Sequence, residues 1–306
     1  MSAYDILIPG NYFCDLIFTG FPRFPSLGSE VYTKDLTVTV GGALNTIIAM
    51  RRLGVNVGWV GQLGTDLFSR FVFDLIEKED VDTSLITQLD APFQRVTVAV
   101  SYPQDRAFIS YADPAPTCVD MVQAILGRVS FRHLHFTGLQ LDPQTQALLQ
   151  DVRERGMTVS MDCQDRIETL DTPGVQDVIM HLDMFMPNAK EAMHLTGCDS
   201  VAASAERLRP LVSLLIIKDG GNGAFAWRGD TPPLHAEALT ITPVDTTGAG
   251  DVFNAGFLTA YLNGRDLADC LRWGNICGGL STLGSGGTST APHREQVEAI
   301  FARGHE

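Results

Sequence analysis

Residues 245–251 read DTTGAGD, and the second acid stands just before the apolar run VFNAGFLTAYL. Two glycines, Gly248 and Gly250, free the backbone for tight turns and for close approach to a ligand. A loop entering a helix also presents N–H groups that no intrahelical carbonyl can accept, so the helix start is a cradle for an anion. Asp251 stands at the mouth of that cradle. As structure alone it is a helix cap. As chemistry, Gly248, Ala249 and Gly250 direct their amides at a transferring phosphoryl group while Asp251 takes the proton from an attacking hydroxyl. An aspartate with a pKa of about 3.9 is ionised at neutral pH and serves as a base without special tuning.

Outward from this string the chain alternates strand and helix. DILIPG and VNVGWVG read as buried strands, ALNTIIAMRRLG as a helix closed by Gly54, and DLFSRFVFDLIEKED as an amphipathic helix with Asp66 in its first turn. The rhythm resumes with helices near 118–127, 142–155, 174–182, 188–196 and 202–210 between the strands HLHFTGL, TVSMDC, MFMPN and LLIIKDG. GAFAWR and the segment near 234–239 read as further strands, and helices begin near Asp251, Leu267 and Pro292. Such alternation predicts a mostly parallel sheet covered by helices on both faces, with ligands at the carboxyl ends of its strands. Two stretches break the pattern. EVYTKDLTVTV (30–40) is strand-like, and RVTVAVSY, PQDR and AFISY within 93–111 form a hairpin with one face to spare. With lid strands drawn from about 11–40 and 93–111, residues 1–306 are expected to form one unit without an internal repeat or linker.

Composition narrows the function. The chain has 306 residues, 45% hydrophobic and 19% charged, a globular balance with no run long enough to span a bilayer. Its net charge of −14, with 22 Lys and Arg against 36 Asp and Glu, argues against nucleic acid or an anionic membrane as a partner. Six scattered cysteines without a C-x-x-C pair, and an acid rather than basic charge in MSAYDILIPG, suit a cytoplasmic protein.

Four further motifs carry candidate chemistry. In MPNAKEAMHLTG, Asn188 and Glu191 stand three apart on one helix face, the spacing of a capping box and also of a pair that holds a hydrated magnesium ion. In VGGALNTIIAM, Gly41, Gly42 and Asn45 bring backbone and a small amide to a helix mouth, a fit for sugar hydroxyls. Asp15 follows the first strand, where carboxylates bind paired hydroxyls. GNGAFA (221–226) matches a dinucleotide fingerprint, but a strand rather than a crossover helix follows it. HLH (133–135) puts two histidines on one strand face with no third metal ligand at useful spacing. No Gly-Lys dipeptide exists, which excludes a Walker loop.

GNYFCD, GGALN, WVGQLGTD, DRAFISYADPA, MPNAKEA, KDGGNGA and DTTGAGD with FNAGF, in that order, resemble the ribokinase-like (PfkB) carbohydrate kinase family over nearly the whole chain. The resemblance implies a Rossmann-like three-layer α/β sandwich with a mostly parallel central sheet and a small β-sheet lid. It also implies ATP-dependent phosphorylation of a hydroxymethyl group on a sugar or a nucleoside, with Tyr12, Phe13 and Phe108 as a wall for a base in the nucleoside case. By that likeness Asp251 is the base and Gly248, Ala249 and Gly250 the anion hole. Asp15, Gly41, Gly42 and Asn45 match sugar-binding positions, and Asn188 and Glu191 the Mg2+ and phosphate motif. Lys218, Gly220 and Gly223 match positions that contact nucleotide phosphates, Lys218 where threonine is frequent; Asn275 matches the adenine pocket. Asp245, Thr247 and Gly286 match positions where several members bind a monovalent cation such as K+. Some relatives also pair through their lids as homodimers.

Overall fold

The computed structural model describes residues 3–101, 106–164 and 166–304, so the turn read at 103–106 lies almost wholly outside the described residues. From the N-terminus come β1 (Ala3–Pro9), β2 (Tyr12–Thr19), β3 (Asp35–Gly42), α1 (Ala43–Arg52), β4 (Val57–Val60), β5 (Gln62–Leu63), α2 (Leu67–Lys78) and β6 (Thr87–Gln88). Then follow β7 (Arg95–Ser101), β8 (Arg106–Ala112), α3 (Cys118–Ile125), β9 (Ser130–Phe136), α4 (Thr145–Glu154), β10 (Thr158–Met161), α5 (Val175–Met180) and β11 (Met184–Phe185). The chain continues through α6 (Ala189–Thr196), α7 (Val201–Leu208), β12 (Leu214–Lys218), β13 (Ala224–Arg228), β14 (Leu234–Ala236), α8 (Ala249–Leu262), α9 (Leu267–Ser281) and α10 (Arg294–Arg303).

The main sheet has eight strands in the order β14-β13-β12-β11-β10-β9-β1-β4. From β4 to β12 neighbours run parallel, while β13 and β14 add antiparallel at one edge. Parallel strands need cover on both faces and therefore read as continuous apolar runs; VGWV in β4 and LLIIK in β12 are buried at every position. Alternate residues feed two cores. Ile6, Ile8, Leu214 and Ile216 pack with residues of α1, α2, α8, α9 and α10, whereas Leu7, Leu215 and Ile217 pack with those of α3 through α7. The result is the three-layer arrangement that the alternation predicts.

A second sheet of four strands, β3-β2-β7-β8, stands apart from the first. Here β2 pairs antiparallel with β3 and parallel with β7, and β7 with β8 antiparallel. The strand read at 30–40 begins only at Asp35 and runs on to Gly42, because β2 supplies ladder partners from Thr19 back to Tyr12 and none beyond. Asp66 caps α2 from outside its first turn, accepting from the Phe68 and Ser69 amides at 2.9 and 3.1 Å. Helix α8 is buried from Val252 to Ala260, and a Cβ at Gly256 would fall 2.6 Å from the Cys277 sulfur, so α8 and α9 approach closely. That packing fixes the N-terminus of α8, the start of the glycine turn.

Candidate active site

Three adjacent parallel strands deliver polar residues to one edge of the main sheet. Asp162 follows β10, Asn188 lies between β11 and α6, and Lys218 closes β12. The glycine turn meets them there. Gly248 is the N-cap of α8 with φ 71°, and a Cβ on it would sit 2.6 Å from the Gly287 Cα, so both conformation and space require glycine. Ala249, Gly250 and Asp251 form the first turn, whose N–H groups have no intrahelical acceptors, although the Ala249 amide donates to the Thr246 carbonyl at 3.3 Å.

Asp251 is half-buried, and its Oδ2 accepts a 2.9 Å hydrogen bond from the Asn45 amide. Asn45 is wedged between Gly248 and Gly287; its Oδ1 is buried and has no hydrogen-bond partner among the described residues. Asp15 enters from the second sheet, opposite Thr39 of β3 and Thr97 of β7. Its carboxylate fills the space where a Cβ at Gly41 would lie, and Gly42 turns at φ 65° with the Asn11 carbonyl 2.7 Å from where its Cβ would be. Burial pushes the Asp15 carboxyl up to about 7, with the Asp251 charge adding to the rise. Burial also lifts Asp251 to about 6; the Asn45 hydrogen bond and Lys218 oppose this, and Asp162 adds to it. Glu191 is raised by burial first and by Asp162 second.

Beside the turn lies a cavity of about 310 Å³ lined by Lys218, Gly220, Gly223, Ala249, Gly250 and Asn275, with Leu239, Ile241, Pro243 and Phe253 as an apolar wall. A Cβ at Gly220 would meet nothing, and one at Gly223, where φ is 85°, would overlap the Ala236 carbonyl. Asn275 donates to the Ala236 and Glu237 carbonyls at 2.8 and 3.0 Å, holding the β14 edge against α9. An apolar slot beside a glycine-lined polar floor suits an adenine nucleotide. Asn188 and Glu191 form a complete capping box, the Glu191 amide donating to Asn188 Oδ1 at 3.0 Å and the Asn188 amide to Glu191 Oε2 at 2.8 Å. Asp245 accepts from the Thr247 amide (2.9 Å) and hydroxyl (2.7 Å) and from the Gly286 amide (2.9 Å), which gathers those three residues below the turn. Among the described residues no cluster of three His, Cys, Asp or Glu could cage a metal. A single carboxylate at Glu191 fits an ion that keeps most of its waters, as Mg2+ does.

The structure thus gathers the sequence-read residues at one edge of the main sheet. It also adds two that the sequence reading missed. Asp162 accepts from Lys218 Nζ at 2.6 Å and from Asn254 Nδ2 at 2.5 Å. The signals were an acid at the carboxyl end of the strand TVSMDC, and an asparagine three residues after Asp251 in FNAGF. Other readings resolve as structure. GNGAFA leads into β13, antiparallel to β12, so the dinucleotide match has no crossover. His133 and His135 bond Thr158 and Ser160 of the neighbouring strand, and burial pushes both rings down to about 3, keeping them neutral. Tyr12 is fully buried, its hydroxyl between Ser69 and the Phe93 carbonyl, so it forms no wall for a nucleobase.

Comparison with known proteins agrees with this geometry. The pfkB family carbohydrate kinase model matches residues 18–294. A 2-dehydro-3-deoxygluconokinase of Bacillus subtilis is 26% identical over 280 residues, covering 86% of each chain. A fructokinase of Klebsiella pneumoniae is 28% identical over 281 residues, 84% of this chain and 90% of that one. The ribokinase of Arabidopsis thaliana, solved with ribose and ATP, superposes with a TM-score of 0.81 at 20% identity over 98% of this chain and 99% of its own. The ribokinase of Thermotoga maritima gives 0.79 at 22% identity, with the same two coverages. The two structures establish a ribokinase-like fold.

Proposed function

The chain belongs to the pfkB family of carbohydrate kinases, and we propose that it transfers the γ-phosphoryl group of ATP to a hydroxymethyl group of a sugar, with Asp251 as general base. The observation that carries this reading is the Asp251 carboxylate, tethered at 2.9 Å by Asn45 in the first turn after Gly248, beside the glycine-lined cavity. Asp251 accepts the proton of the acceptor hydroxyl as its oxygen bonds to phosphorus. The bond from phosphorus to the bridging oxygen breaks, and its electron pair leaves with ADP. The amides of Gly248, Ala249 and Gly250 donate to the phosphoryl oxygens, where charge is greatest.

On the acceptor side, Asp15, Gly41, Gly42 and Asn45 hold the sugar hydroxyls, and the buried, unpartnered Asn45 Oδ1 supports a donor arriving from the ligand. On the nucleotide side, Lys218, Gly220 and Gly223 face the phosphates and Asn275 the adenine. Asn188 and Glu191 would hold Mg2+, which would offset phosphate charge there, and Asp245, Thr247 and Gly286 are the candidate ligands for K+. The four-stranded sheet acts as the lid of a single kinase domain and keeps water from competing as acceptor. Its outer face carries Leu36, Val38, Ile109 and Tyr111 at 41–71% exposure, an apolar surface that a second copy of the chain would cover. No helix among the described residues is long and apolar enough to cross a membrane; the acidic balance supports a small-molecule acceptor, not nucleic acid, and the scattered cysteines support a cytoplasmic setting.

A panel of ketoses, aldoses, sugar acids and nucleosides, assayed for ATP consumption with and without potassium, tests the reading. Turnover of a sugar is the expected result. Tight sugar binding without turnover across the panel would overturn it in favour of a silent binding protein.

A further inference from the structure

Lys218 is a cation buried among acids. It is 8% exposed, and its ammonium donates to Asp162 Oδ2 at 2.6 Å and to Asn254 Oδ1 at 3.3 Å. Asn254 Nδ2 donates back to the same Asp162 oxygen at 2.5 Å, while Asp162 Oδ1 takes the Cys163 amide at 2.8 Å. Three elements therefore fix one ammonium: the end of β12, the end of β10 and the first turns of α8. Two of its three protons are committed. A Cβ placed on Gly250 would lie 3.5 Å from Nζ, so the missing side chain of the glycine turn leaves the ammonium facing the open floor of the cavity. A buried ion pair adds little stability over an apolar pair of the same volume, so this arrangement needs another explanation than fold stability. A nucleotide binder could place a lysine at a solvent-exposed rim; here it sits against the turn instead.

Resting on the kinase reading above, we infer that Lys218 is the cation of the anion hole, contacting the transferring phosphoryl oxygens with the glycine-turn amides, and that Asp162 and Asn254 are its positioning residues. Lys218 exchanges no proton in the step. Its charge opposes that which accumulates on the phosphoryl oxygens as the new O–P bond forms and the bond to the ADP oxygen breaks. The groups facing the centre are Asp15 from β2, Asn45 from α1, Asp162 after β10, Glu191 from α6 and Asp251 from α8, and Lys218 is the cation acting on both Glu191 and Asp251.

The test compares wild type, Lys218→Met, Asp162→Asn and the double variant, which removes both charges and strands neither in the interior. Steady-state turnover is measured with the best sugar of the panel, and ADP affinity by calorimetry without sugar. Turnover of Lys218→Met and of the double variant should fall about a hundredfold to a thousandfold, the range for losing one anion-hole contact, while ADP affinity changes by less than about threefold because ground-state binding is untouched. The acid limb of the rate should move to higher pH in Lys218→Met and to lower pH in Asp162→Asn, as loss of a nearby positive and a nearby negative charge requires. A double variant that turns over within about threefold of wild type would overturn the inference and leave the pair a structural bridge. ADP affinity falling in proportion to turnover would overturn it too, making Lys218 a nucleotide anchor. A wild type inactive on every sugar would overturn the kinase reading beneath it; an active wild type with an unimpaired double variant sinks this inference alone.

Discussion

Burial lifts the Asp251 carboxyl to about 6 while the Asn45 amide draws it down, so the proposed base titrates well above an ordinary aspartate. The base must be ionised, so turnover should rise with pH through about 6 and level off above it. Asn45→Ala removes the hydrogen bond that favours the ionised form and should shift that limb to higher pH; a pH–rate series on the two proteins checks it. Stability should run the other way. Asp15 and Asp251 have folded pKa values of about 7 and about 6, above the ordinary carboxylate value, so between that value and about 7 the folded state binds more protons than the unfolded one. Their contribution is therefore lost as pH rises through about 6 to 7, and the ligand-free protein should melt at a higher temperature near pH 5.5 than near pH 8. Asp15→Asn should flatten that difference, read by thermal unfolding at the two pH values. Asp251 was legible in the sequence because the whole DTTGAGD string is local. Asp162 was not, because its partners Lys218 and Asn254 lie 56 and 92 residues away and are brought to it by strand order.

Among the elements, α8 and α2 show how local sequence fixes the site. Gly248→Ala would force a Cβ into the left-handed region against Gly287, at a cost of about 1–3 kcal/mol from conformation alone. The expected result is lower stability in urea together with loss of turnover, since the turn cannot keep its shape. Asp66 caps α2 and its Oδ2 also accepts the Phe93 amide at 2.8 Å, tying the helix to the segment that leads into β7. Asp66→Ala removes the cap and orphans that amide, so a loss of about 2–3 kcal/mol is expected in urea unfolding. Element types were legible in the main sheet and its helices because buried parallel strands and amphipathic helices have distinct apolar periods; β5 and β6, two residues each, were not read, and β2 was read only within the span 11–40. Boundaries were less so, as at Asp35, where a strand begins only where a neighbouring strand offers it hydrogen bonds.

At the scale of the whole molecule, the chain builds its eight-stranded and four-stranded sheets from strands that interleave in sequence, and this was the least legible feature. The parallel pairing of β2 with β7, which joins Asp15 to Thr97, spans 82 residues and leaves no local mark. The outer apolar face of the small sheet predicts a second copy upon it: sedimentation should give a dimer, and Ile109→Glu, at a residue 71% exposed, should give a folded monomer. A wild type that sediments as a monomer at all concentrations would contradict that arrangement. One helical layer bears on the turn: α9 locks α8, α8 presents the glycines, and α1 holds the carboxylate with Asn45. The most direct measurement is turnover of Asp251→Asn with the best acceptor, alongside its nucleotide affinity. Turnover should fall about a hundredfold to ten-thousandfold with nucleotide affinity unchanged, and near-normal turnover would contradict the role given to Asp251.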